Sequence, residues 1–432
     1  MRETKVYANH VHDLDQSSSL VRPLTKGLGS MDRELSSRDI PQLGWRLLHE
    51  DVSLPVAVLY EDQLAHNLAW MQKFVSTYGA KLAPHGKTTM APKLFLRQLQ
   101  AGAWGITLAT APQTRAAYEH GVRRVLMANQ VVGQQNMEII SRLVADPEFE
   151  FFSLVDSAGQ VELLGRFFAR RQQKLNVLLE LGVAGGRTGV RDQQQLQSVL
   201  AALARFPEQF ALCGVEIYEG ILRDETSIRA FLQRAVEVTG ELSRTGRFDR
   251  SPVMLSGAGS SWYDVVAEEF SKANLGQPLD IILRPGCYLT HDVGSYREAQ
   301  QRIKQHNPIA QKMDSSLLPA LQLWAYVQSV PEENRAIIGL GKRDAPFDSG
   351  LPTPALHYRP GDNAPKPAPP DWKLVHIMDQ HAYLQMPGGA DLQVGDMIGF
   401  DISHPCLTFD KWRYLLVLNA QYQVIDVVET FF

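Results

Sequence analysis

The sequence has little of what marks secreted, membrane-spanning or nucleic-acid-binding proteins. Only three cysteines occur, Cys213, Cys287 and Cys406, and their wide spacing gives no disulfide framework and suits a reducing compartment. The apolar runs are of strand length, far too short to cross a bilayer, and Met1 to Gln16 lacks the apolar core of a signal peptide. With 43 basic against 47 acidic residues, the net charge of −4 gives no support to binding nucleic acid or a membrane. We therefore expect a soluble cytoplasmic protein.

A glycine-rich dinucleotide motif is missing as well, and this absence helps to choose the fold. At 432 residues the chain is too long for one ordinary core, so two domains are expected. Short apolar runs alternate with helix-length segments of 3.6-residue periodicity. The strand candidates are Ala80–Pro84, Gly105–Ala109, Arg124–Ala128, Phe151–Val155, Val177–Leu181, Cys213–Tyr218, Val253–Ser256 and Ile281–Leu283. The helix candidates are Gln113–His120, Gln134–Ala145, Ser157–Gln173, Asp192–Phe206 and Thr226–Arg244. The alternation predicts an α/β fold of the (β/α)₈ TIM-barrel type, whereas an open doubly wound sheet would be expected to carry Gly-x-Gly-x-x-Gly after its first strand.

From about Leu317 the pattern changes to strands without long helices between them, which predicts a β-rich second domain. The candidates are Leu321–Gln328, Ala336–Leu340, Lys373–Met378, Ala382–Met386, Met397–Ile402 and Tyr414–Val428. We divide the chain into an N-terminal extension (1–53), the barrel (54–300) and the β-rich domain (301–432). The strand at Val56–Tyr60 precedes the barrel and is a candidate to join the β-rich domain.

The most informative stretch follows the first barrel strand, where Pro84-His85-Gly86-Lys87-Thr88 breaks an apolar run just before a helix. Catalytic groups of such barrels sit at the C-terminal ends of the strands. A lysine placed there can form a Schiff base, because burial lowers its pKa and the neutral amine attacks a carbonyl. A lone lysine in a loop is usually only a surface residue, so the assignment of Lys87 depends on the motifs in the rest of the chain.

The fifth and sixth strands also carry polar groups at their C-terminal ends, at the same end of the expected barrel as Lys87. Arg187 lies in the glycine-rich loop from Glu180 to Gly189 and can pair with an anionic oxygen of a bound cofactor. Tyr218 ends the sixth strand, between Glu216 and Glu219. Surface exposure for the arginine and plain packing for the tyrosine are the alternatives.

The seventh strand runs into Ser256-Gly257-Ala258-Gly259-Ser260-Ser261 and then a helix. Glycines allow close backbone approach, and amides and hydroxyls at a helix N-terminus bind phosphate. Barrels often hold phosphate after strands seven and eight, where Tyr288 of Arg284-Pro285-Gly286-Cys287-Tyr288 can complete the site. Ser256, Gly257, Gly259, Ser260 and Tyr288 are therefore phosphate candidates, with an ordinary turn as the alternative.

His404 and Cys406 are the candidate metal ligands. They are two residues apart, so on an extended chain both side chains face the same way. Imidazole and thiolate suit Zn²⁺, and two protein ligands leave positions for water or substrate. A His-x-Cys spacing alone also arises by chance or from core packing.

Taken in order, these motifs resemble those of fold-type III pyridoxal-phosphate enzymes, specifically the D-serine dehydratase and D-threonine aldolase group. They are Pro84-His85-Gly86-Lys87-Thr88, the Glu180 to Gly189 loop, Ser256 to Ser260, Arg284-Pro285-Gly286-x-Tyr288 and His404-Pro405-Cys406. The match spans roughly Leu54 to Phe432 and looks most like the dehydratase side. It also resembles bacterial proteins called amino-acid deaminases.

The resemblance implies an alanine-racemase-like barrel with a β-domain, usually in a homodimer. It makes Lys87 the lysine that carries pyridoxal 5'-phosphate, with His85 beside it, and makes Arg187 and Tyr218 contacts of the cofactor ring. It assigns the phosphate of the cofactor to the Ser256–Ser260 loop and Tyr288. His404 and Cys406 become ligands of a divalent metal, Zn²⁺ by preference, with Mn²⁺ and Mg²⁺ as alternatives.

The implied activity is a lyase reaction of the D-serine ammonia-lyase kind, in which a D-3-hydroxy amino acid loses water and yields a 2-oxo acid and ammonia. Three alternatives stay open: D-threonine aldolase-type cleavage, dehydration of D-threo-3-hydroxyaspartate, and a pyridoxal-phosphate-binding protein without activity. The sequence assigns no role to residues 1–53 and does not fix the β-substituent of the substrate.

Overall fold

A computed structural model describes residues 20–23 and 25–432, and the expectations placed on residues 1–19 and 24 lie outside these ranges. Eight parallel strands form one sheet that curls into a barrel, which confirms the predicted fold class. In chain order the barrel strands are Lys81–Leu82, Ile106–Leu108, Arg124–Gln130, Glu150–Val155, Leu175–Leu181, Phe210–Ile217, Val253–Gly257 and Leu279–Leu283. The second to eighth strands pair with their sequence neighbours, and the eighth pairs with the first.

The sheet closes between the first and second strands. The Trp104 amide donates to the carbonyl of Leu82 at 2.7 Å, and the Thr107 amide donates to that of Pro84 at 2.8 Å. The first strand is short because the chain turns into a 3₁₀ helix at Gly86–Thr88 directly after it. This turn brings Lys87 to the C-terminal end of the barrel, which we call the mouth.

Helices cover the outside of the barrel wall, as the periodicity predicts. They are Glu61–Thr77, Pro92–Gln100, Ala111–Glu119, Gln134–Leu143, Ala158–Ala169, Gln193–Ala204, Glu225–Arg244, Tyr263–Ser271, Ser295–His306 and Pro308–Lys312. Several start at a side-chain cap, for example Asp192, whose carboxylate accepts the Gln195 amide, and Asp224, which accepts that of Ser227. The apolar helix faces and the outward strand residues bury one continuous core, while a smaller cluster around Phe152, Leu178 and Met254 fills the barrel interior.

The β-rich part lies beside the mouth. Its strands are Leu321–Glu332, Arg335–Ile338, Thr353–Tyr358, Lys366–Pro367, Lys373–Ile377, Ala382–Gln385, Met397–Asp401, Tyr414–Leu418 and Val424–Glu429. The strand Val56–Tyr60 pairs antiparallel with the first of these and parallel with the eighth. The described part of the N-terminal extension packs on this sheet through Val21, Trp45 and their neighbours. The boundaries at 53/54 and 300/301 stay an interpretation.

Two strand predictions need correction. Tyr414–Val428 is not one strand, because the chain reverses at a turn where the Tyr422 amide donates to Asn419, giving an antiparallel pair. The strand Thr353–Tyr358 is missing from the predictions, since its sequence shows no alternating apolar pattern and its residues are mostly half-buried. None of the helices in the described ranges is both long and apolar enough to span a membrane.

Candidate active site

Lys87 lies in the mouth, on the 3₁₀ turn that follows the first barrel strand. Its side chain reaches solvent, yet the surrounding walls remove enough water from the amine that desolvation lowers its pKa. The thiol groups of Cys406 and Cys287 act against this shift, while Arg187 and Arg284 add to it. The lysine therefore keeps a larger neutral fraction than a free lysine, which is what a nucleophile or base requires.

His85, two residues before Lys87, is held neutral by the same surroundings. Burial lowers its pKa, and the nearby cations Lys87, Arg284 and Arg187 lower it further. Its Nδ1 atom is buried without a hydrogen-bond partner. Buried polar atoms are nearly always paired, so this orphan marks a place where a ligand atom fits.

Arg187, Tyr218 and Gly259 form a row across the ends of the fifth, sixth and seventh strands. The guanidinium carbon of Arg187 lies 4.2 Å from the centre of the Tyr218 ring, in cation–π geometry. A Cβ atom added at Gly259 would lie 3.2 Å from the edge of the same ring. The glycine thus lets the loop after the seventh strand approach Tyr218 closely.

The loop after the seventh strand has the buried carboxyl group of Glu219 beneath it, and burial raises the pKa of this group. The amides of Ala258 and Gly259 donate to its two oxygens at 3.1 and 2.6 Å. Ala258 has a positive φ of 77°, unusual for a residue with a side chain, which turns its amide inward. These two amides therefore serve Glu219 rather than a phosphate, which the sequence did not predict.

The remaining amides of this loop fit an anion better. Those of Ser260 and Ser261 make no hydrogen bond within the described part of the chain, and they precede the helix Tyr263–Ser271. The hydroxyl oxygen of Ser260 accepts the amides of Gly286 and Cys287 at 3.1 and 3.0 Å and so ties the loops after strands seven and eight together. Free amides at a helix N-terminus are suited to phosphate.

Two predicted phosphate residues are directed elsewhere. The Ser256 hydroxyl donates to the carbonyl of Ile282 at 3.1 Å inside the sheet. Tyr288 is buried, and its hydroxyl accepts from Gln98 of the helix Pro92–Gln100 at 3.1 Å. Both hydroxyls are used by the barrel wall, so in this structure they do not face the other candidate residues.

A buried ion pair lies below the mouth between Arg284 and Glu216. The guanidinium contacts one carboxylate oxygen and also donates to the carbonyl of Ile217 at 2.8 Å. Burial raises the pKa of Glu216 even though the guanidinium acts to lower it. The second carboxylate oxygen and the Arg284 Nε have no partner. The pair therefore places polar atoms below the mouth, two of which have no hydrogen-bond partner.

His404 and Cys406 do lie together, although not on the extended chain that the spacing argument assumed. Pro405 has helical angles (φ −57°, ψ −44°) and begins the short helix Cys406–Phe409, so the two side chains are not related as in a strand. They come close because the turn folds back, and the Cys406 sulfur raises the pKa of the His404 ring. The same turn brings Cys406 to the barrel, where its Sγ lies 3.5 Å from Thr88 Oγ1 and 3.8 Å from Cys287 Sγ.

The charge states favoured at His404, Cys406 and Cys287 differ from those favoured around Lys87. The hydrogen bond with Cys287 lowers the pKa of the Cys406 thiol and raises that of Cys287, so the two sulfurs share one proton. The Cys406 sulfur and the carboxylate of Asp348 raise the pKa of His404 to about 9. Asp348 Oδ2 lies 2.7 Å from His404 Nδ1, which leaves Nε2 for another partner.

These donors fit a divalent metal in kind. A thiolate and an imidazole whose other nitrogen is fixed by a carboxylate are the ligands that zinc prefers. In the part of the chain that the structure describes, no three or more His, Cys, Asp and Glu side chains already form a metal cage. The metal prediction therefore rests on the two residues predicted from sequence.

The surroundings also fit pyridoxal phosphate. They offer a lysine with a lowered pKa, an orphaned imidazole nitrogen on His85, a cation in Arg187 and two free loop amides. The residues that sequence reasoning left without a role are Glu219, Arg284, Thr88, Cys287 and Asp348. All of these except Asp348 stand in motifs already singled out, but the sequence assigned none of them a role.

Two family models match the chain, one on each part. The alanine racemase N-terminal domain matches residues 60–289, and the "Putative serine dehydratase domain" matches residues 320–418. The first match covers the barrel and the second most of the β-rich sheet.

Known proteins resemble the chain over most of its length. A D-threonine aldolase of Arthrobacter sp. is 24% identical over 375 residues, which are 85% of this chain and 89% of that protein. The crystal structure of D-threonine aldolase from Filomicrobium marinum has a TM-score of 0.72 at 23% identity and covers 90% of this chain and 97% of that one. D-threo-3-hydroxyaspartate dehydratase from Delftia sp. HT23 has a TM-score of 0.71 at 20% identity, covering 89% and 99%. A cysteine-to-alanine mutant of that dehydratase is described as a metal-free form.

Proposed function

Because the chain belongs to the alanine racemase-like family of fold-type III pyridoxal-phosphate enzymes, we propose that it is a metal-dependent dehydratase of D-3-hydroxy amino acids. Its substrate is D-serine or a close analogue, and its products are a 2-oxo acid and ammonia. The observation that carries the proposal is that the Cys406 sulfur lies 3.5 Å from Thr88 Oγ1, on the residue directly after Lys87. A base and a metal site so close together can act on the two neighbouring carbons of one substrate.

Pyridoxal phosphate would be held by residues of the mouth. Lys87 would bind it covalently, Arg187 and Tyr218 would flank its ring, and His85 offers an unpaired Nδ1. The free amides of Ser260 and Ser261 favour its phosphate. When bound, this cofactor stabilises the negative charge that an amino acid acquires at its α-carbon on losing a proton.

Lys87 is the proposed base. Desolvation lowers the pKa of its amine, so a neutral amine is available to accept the α-proton. One lysine lies on one face of the bound substrate and can reach the α-hydrogen of only one enantiomer. The family resemblance assigns that face to the D-series.

His404 and Cys406 are the proposed ligands of the metal. When bound, a divalent ion such as Zn²⁺ supplies a Lewis acid to the β-oxygen, because hydroxide is otherwise a poor leaving group. Asp348 holds the His404 ring so that Nε2 is available, and the shared proton keeps Cys406 near its thiolate form. Thr88 contacts the same sulfur and connects this centre to Lys87 through the backbone.

Aldol cleavage is the second candidate, favoured by the similarity to D-threonine aldolase over 85% of the chain. In cleavage a base takes the proton of the β-hydroxyl group, whereas in dehydration it takes the α-proton. Dehydration of D-threo-3-hydroxyaspartate, the reaction named for the other relative, needs the same groups and a further site for the β-carboxylate. A binding protein without activity would have no use for a metal beside Lys87.

Product identification separates these candidates. The purified enzyme, with pyridoxal phosphate and Zn²⁺, is given D-serine, L-serine, D-threonine and D-threo-3-hydroxyaspartate, with Lys87→Ala as the control. We expect pyruvate and ammonia from D-serine, 2-oxobutyrate from D-threonine and far slower turnover of L-serine. Glycine with an aldehyde would establish the aldolase instead, and turnover of hydroxyaspartate alone would restrict the substrate. Equal turnover of both serine enantiomers would refute the D-specificity. We further propose a cytoplasmic homodimer, which size-exclusion chromatography with light scattering tests.

A further inference from the structure

Cys287 lies at the metal site although neither its sequence position nor its motif assigns it a role. It follows the eighth barrel strand, is 3% exposed, and its Sγ is 3.8 Å from Cys406 Sγ. Thr88 Oγ1 lies 3.9 Å from the Cys287 sulfur and 3.5 Å from the Cys406 sulfur. A buried sulfur and a half-buried sulfur thus face each other across the junction between the barrel and the β-rich domain.

The distance between the sulfurs is the one that a shared metal requires. Two thiolates bound at about 2.3 Å to one tetrahedral Zn²⁺ stand about 3.8 Å apart. A disulfide would require about 2.05 Å, so the pair is not arranged as a bond. An S–H···S hydrogen bond alone also permits 3.8 Å, and the experiment below separates the two cases.

The third donor is held by a carboxylate. His404 Nδ1 is bound to Asp348 at 2.7 Å, so Nε2 is the nitrogen left for a ligand, and the Cys406 sulfur is near enough to raise the pKa of the ring. In the described residues the three donors do not yet form a cage, so metal binding would have to draw them together. Cys406 is thus the shared member of two adjacent pairs, one with Cys287 and one with His404.

We infer that Cys287 is a third protein ligand of the metal centre, which makes it a Cys₂His site with one position open for water or the substrate hydroxyl. Three protein ligands and an open position are the arrangement of catalytic zinc. Two sulfurs favour a soft ion such as Zn²⁺ and disfavour Mg²⁺ and Mn²⁺, which prefer oxygen. The inference rests on the metal-dependent function proposed above and names its metal.

X-ray absorption at the zinc edge counts the sulfur ligands directly in the holoenzyme, without relying on activity. We expect two sulfurs at about 2.3 Å in the parent enzyme and one in Cys287→Ser. Cys213→Ser is the matched control, because this third cysteine is also buried but bonds to the carbonyl of Ala211, and it should keep two sulfurs. Cofactor absorbance and melting temperature confirm that each variant is folded, and Cys287→Ala is the second variant if the serine form is not.

Competition with a chromophoric chelator measures the metal affinity of the same variants. We expect Cys287→Ser to bind Zn²⁺ at least roughly tenfold more weakly than the parent while Mg²⁺ binding stays weak in both. One sulfur in the parent, or unchanged zinc affinity in both Cys287 variants, would overturn the inference. A two-sulfur zinc site in a protein that does not dehydrate D-3-hydroxy amino acids would refute the proposed function but keep Cys287 as a ligand. Dehydration by an enzyme with a one-sulfur site would support the proposed function and refute Cys287 as a ligand.

Discussion

The two sides of the mouth differ in the charge states that they favour for their titratable side chains. On the lysine side, which comprises Lys87, His85, Arg187 and Tyr218, burial and neighbouring cations lower the pKa of both Lys87 and His85. On the thiol side, which comprises Thr88, Cys287, His404, Cys406 and Asp348, the pKa of Cys406 falls and that of His404 rises to about 9. One side therefore favours neutral bases, and the other favours an imidazolium beside a thiolate.

The difference shows how one mouth can hold two kinds of catalyst. A neutral amine needs surroundings that disfavour positive charge, whereas a cation site needs negative donors. Lys87 and Thr88 are consecutive residues, so the 3₁₀ turn at Gly86–Thr88 gives one residue to each side. The predictions that follow separate these two sides.

Removal of the lysine should have the largest effect. Lys87→Ala is expected to lose the covalent link to pyridoxal phosphate and about 10²–10⁴-fold in turnover, since one group serves as both anchor and base. Borohydride reduction followed by peptide mapping measures the link, and the exposed Lys174→Ala is the control. A reduced label that persists in Lys87→Ala would show that another residue carries the cofactor.

Removal of the metal should stop turnover but spare the cofactor. Chelation, or His404→Ala, is expected to lower ammonia release by roughly 10²-fold or more, because departure of the hydroxide loses its Lewis acid. The visible absorption of the cofactor should remain, since Lys87 lies on the other side. Zn²⁺ should restore the chelated enzyme but not the variant. Full activity of enzyme shown by elemental analysis to be metal-free would reduce His404 and Cys406 to packing residues.

Asp348 should act only through His404. Asp348→Asn removes the charge that orients the ring and is expected to weaken metal binding by about 10–100-fold, with unchanged binding of pyridoxal phosphate. Asp410→Asn is the control, because this carboxylate lies near the centre but forms an ion pair with Lys411. An equal loss of metal affinity in the two variants would mean that a nearby negative charge supports metal binding and that the orientation of the His404 ring by Asp348 does not.

Metal affinity should depend on pH in a known direction. The pKa of His404 in the metal-free protein is about 9, so at neutral pH a proton must leave the ring before Nε2 can bind a metal. The ring proton alone is therefore expected to make affinity rise by about tenfold per pH unit up to about pH 9, and loss of the Cys287 proton would add to this, measured by titration with a chelator at several pH values. The His404→Ala variant should lose this contribution. A flat profile between pH 6.5 and 8.5 in the parent would contradict a protonated His404.

The smallest effects should come from the two loop glycines, and their causes differ. A Cβ atom at Gly259 would press on the Tyr218 ring at 3.2 Å, so Gly259→Val is expected to weaken cofactor binding several-fold. At Gly257 it would meet Ile217 at 3.0 Å, so Gly257→Val should weaken cofactor binding too, but mainly through a loss of stability of about 1–3 kcal/mol. Cofactor titration and thermal melting measure both, with Gly159→Val as the control, because its Cβ would meet no atom within 4 Å. Unchanged affinity in both variants would make the loop a plain turn.

The lysine side was largely predictable because its residues follow strands that all point the same way. Once the apolar periodicity gives eight parallel strands, Lys87, Arg187, Tyr218 and Gly259 must meet at one mouth. Hydroxyl groups were less predictable: Ser256 and Tyr288 stand in the right segments, but their oxygens are bound to Ile282 and Gln98. A motif fixes where a residue lies along the chain but not which of several acceptors its side chain selects.

The sequence by itself determined the barrel and the position of Lys87, and it singled out His404 and Cys406, although for an extended chain that the structure does not adopt. Only the tertiary structure decided that Cys287 and Thr88 meet Cys406, across separations of 119 and 318 residues, and that Asp348 orients His404. It also decided that Glu219 accepts two amides of the loop after the seventh strand. The physical reason is that strand order and periodicity are local properties of the chain, whereas the thiol side exists only where the docked β-rich domain presses a bent segment against the rim of the barrel.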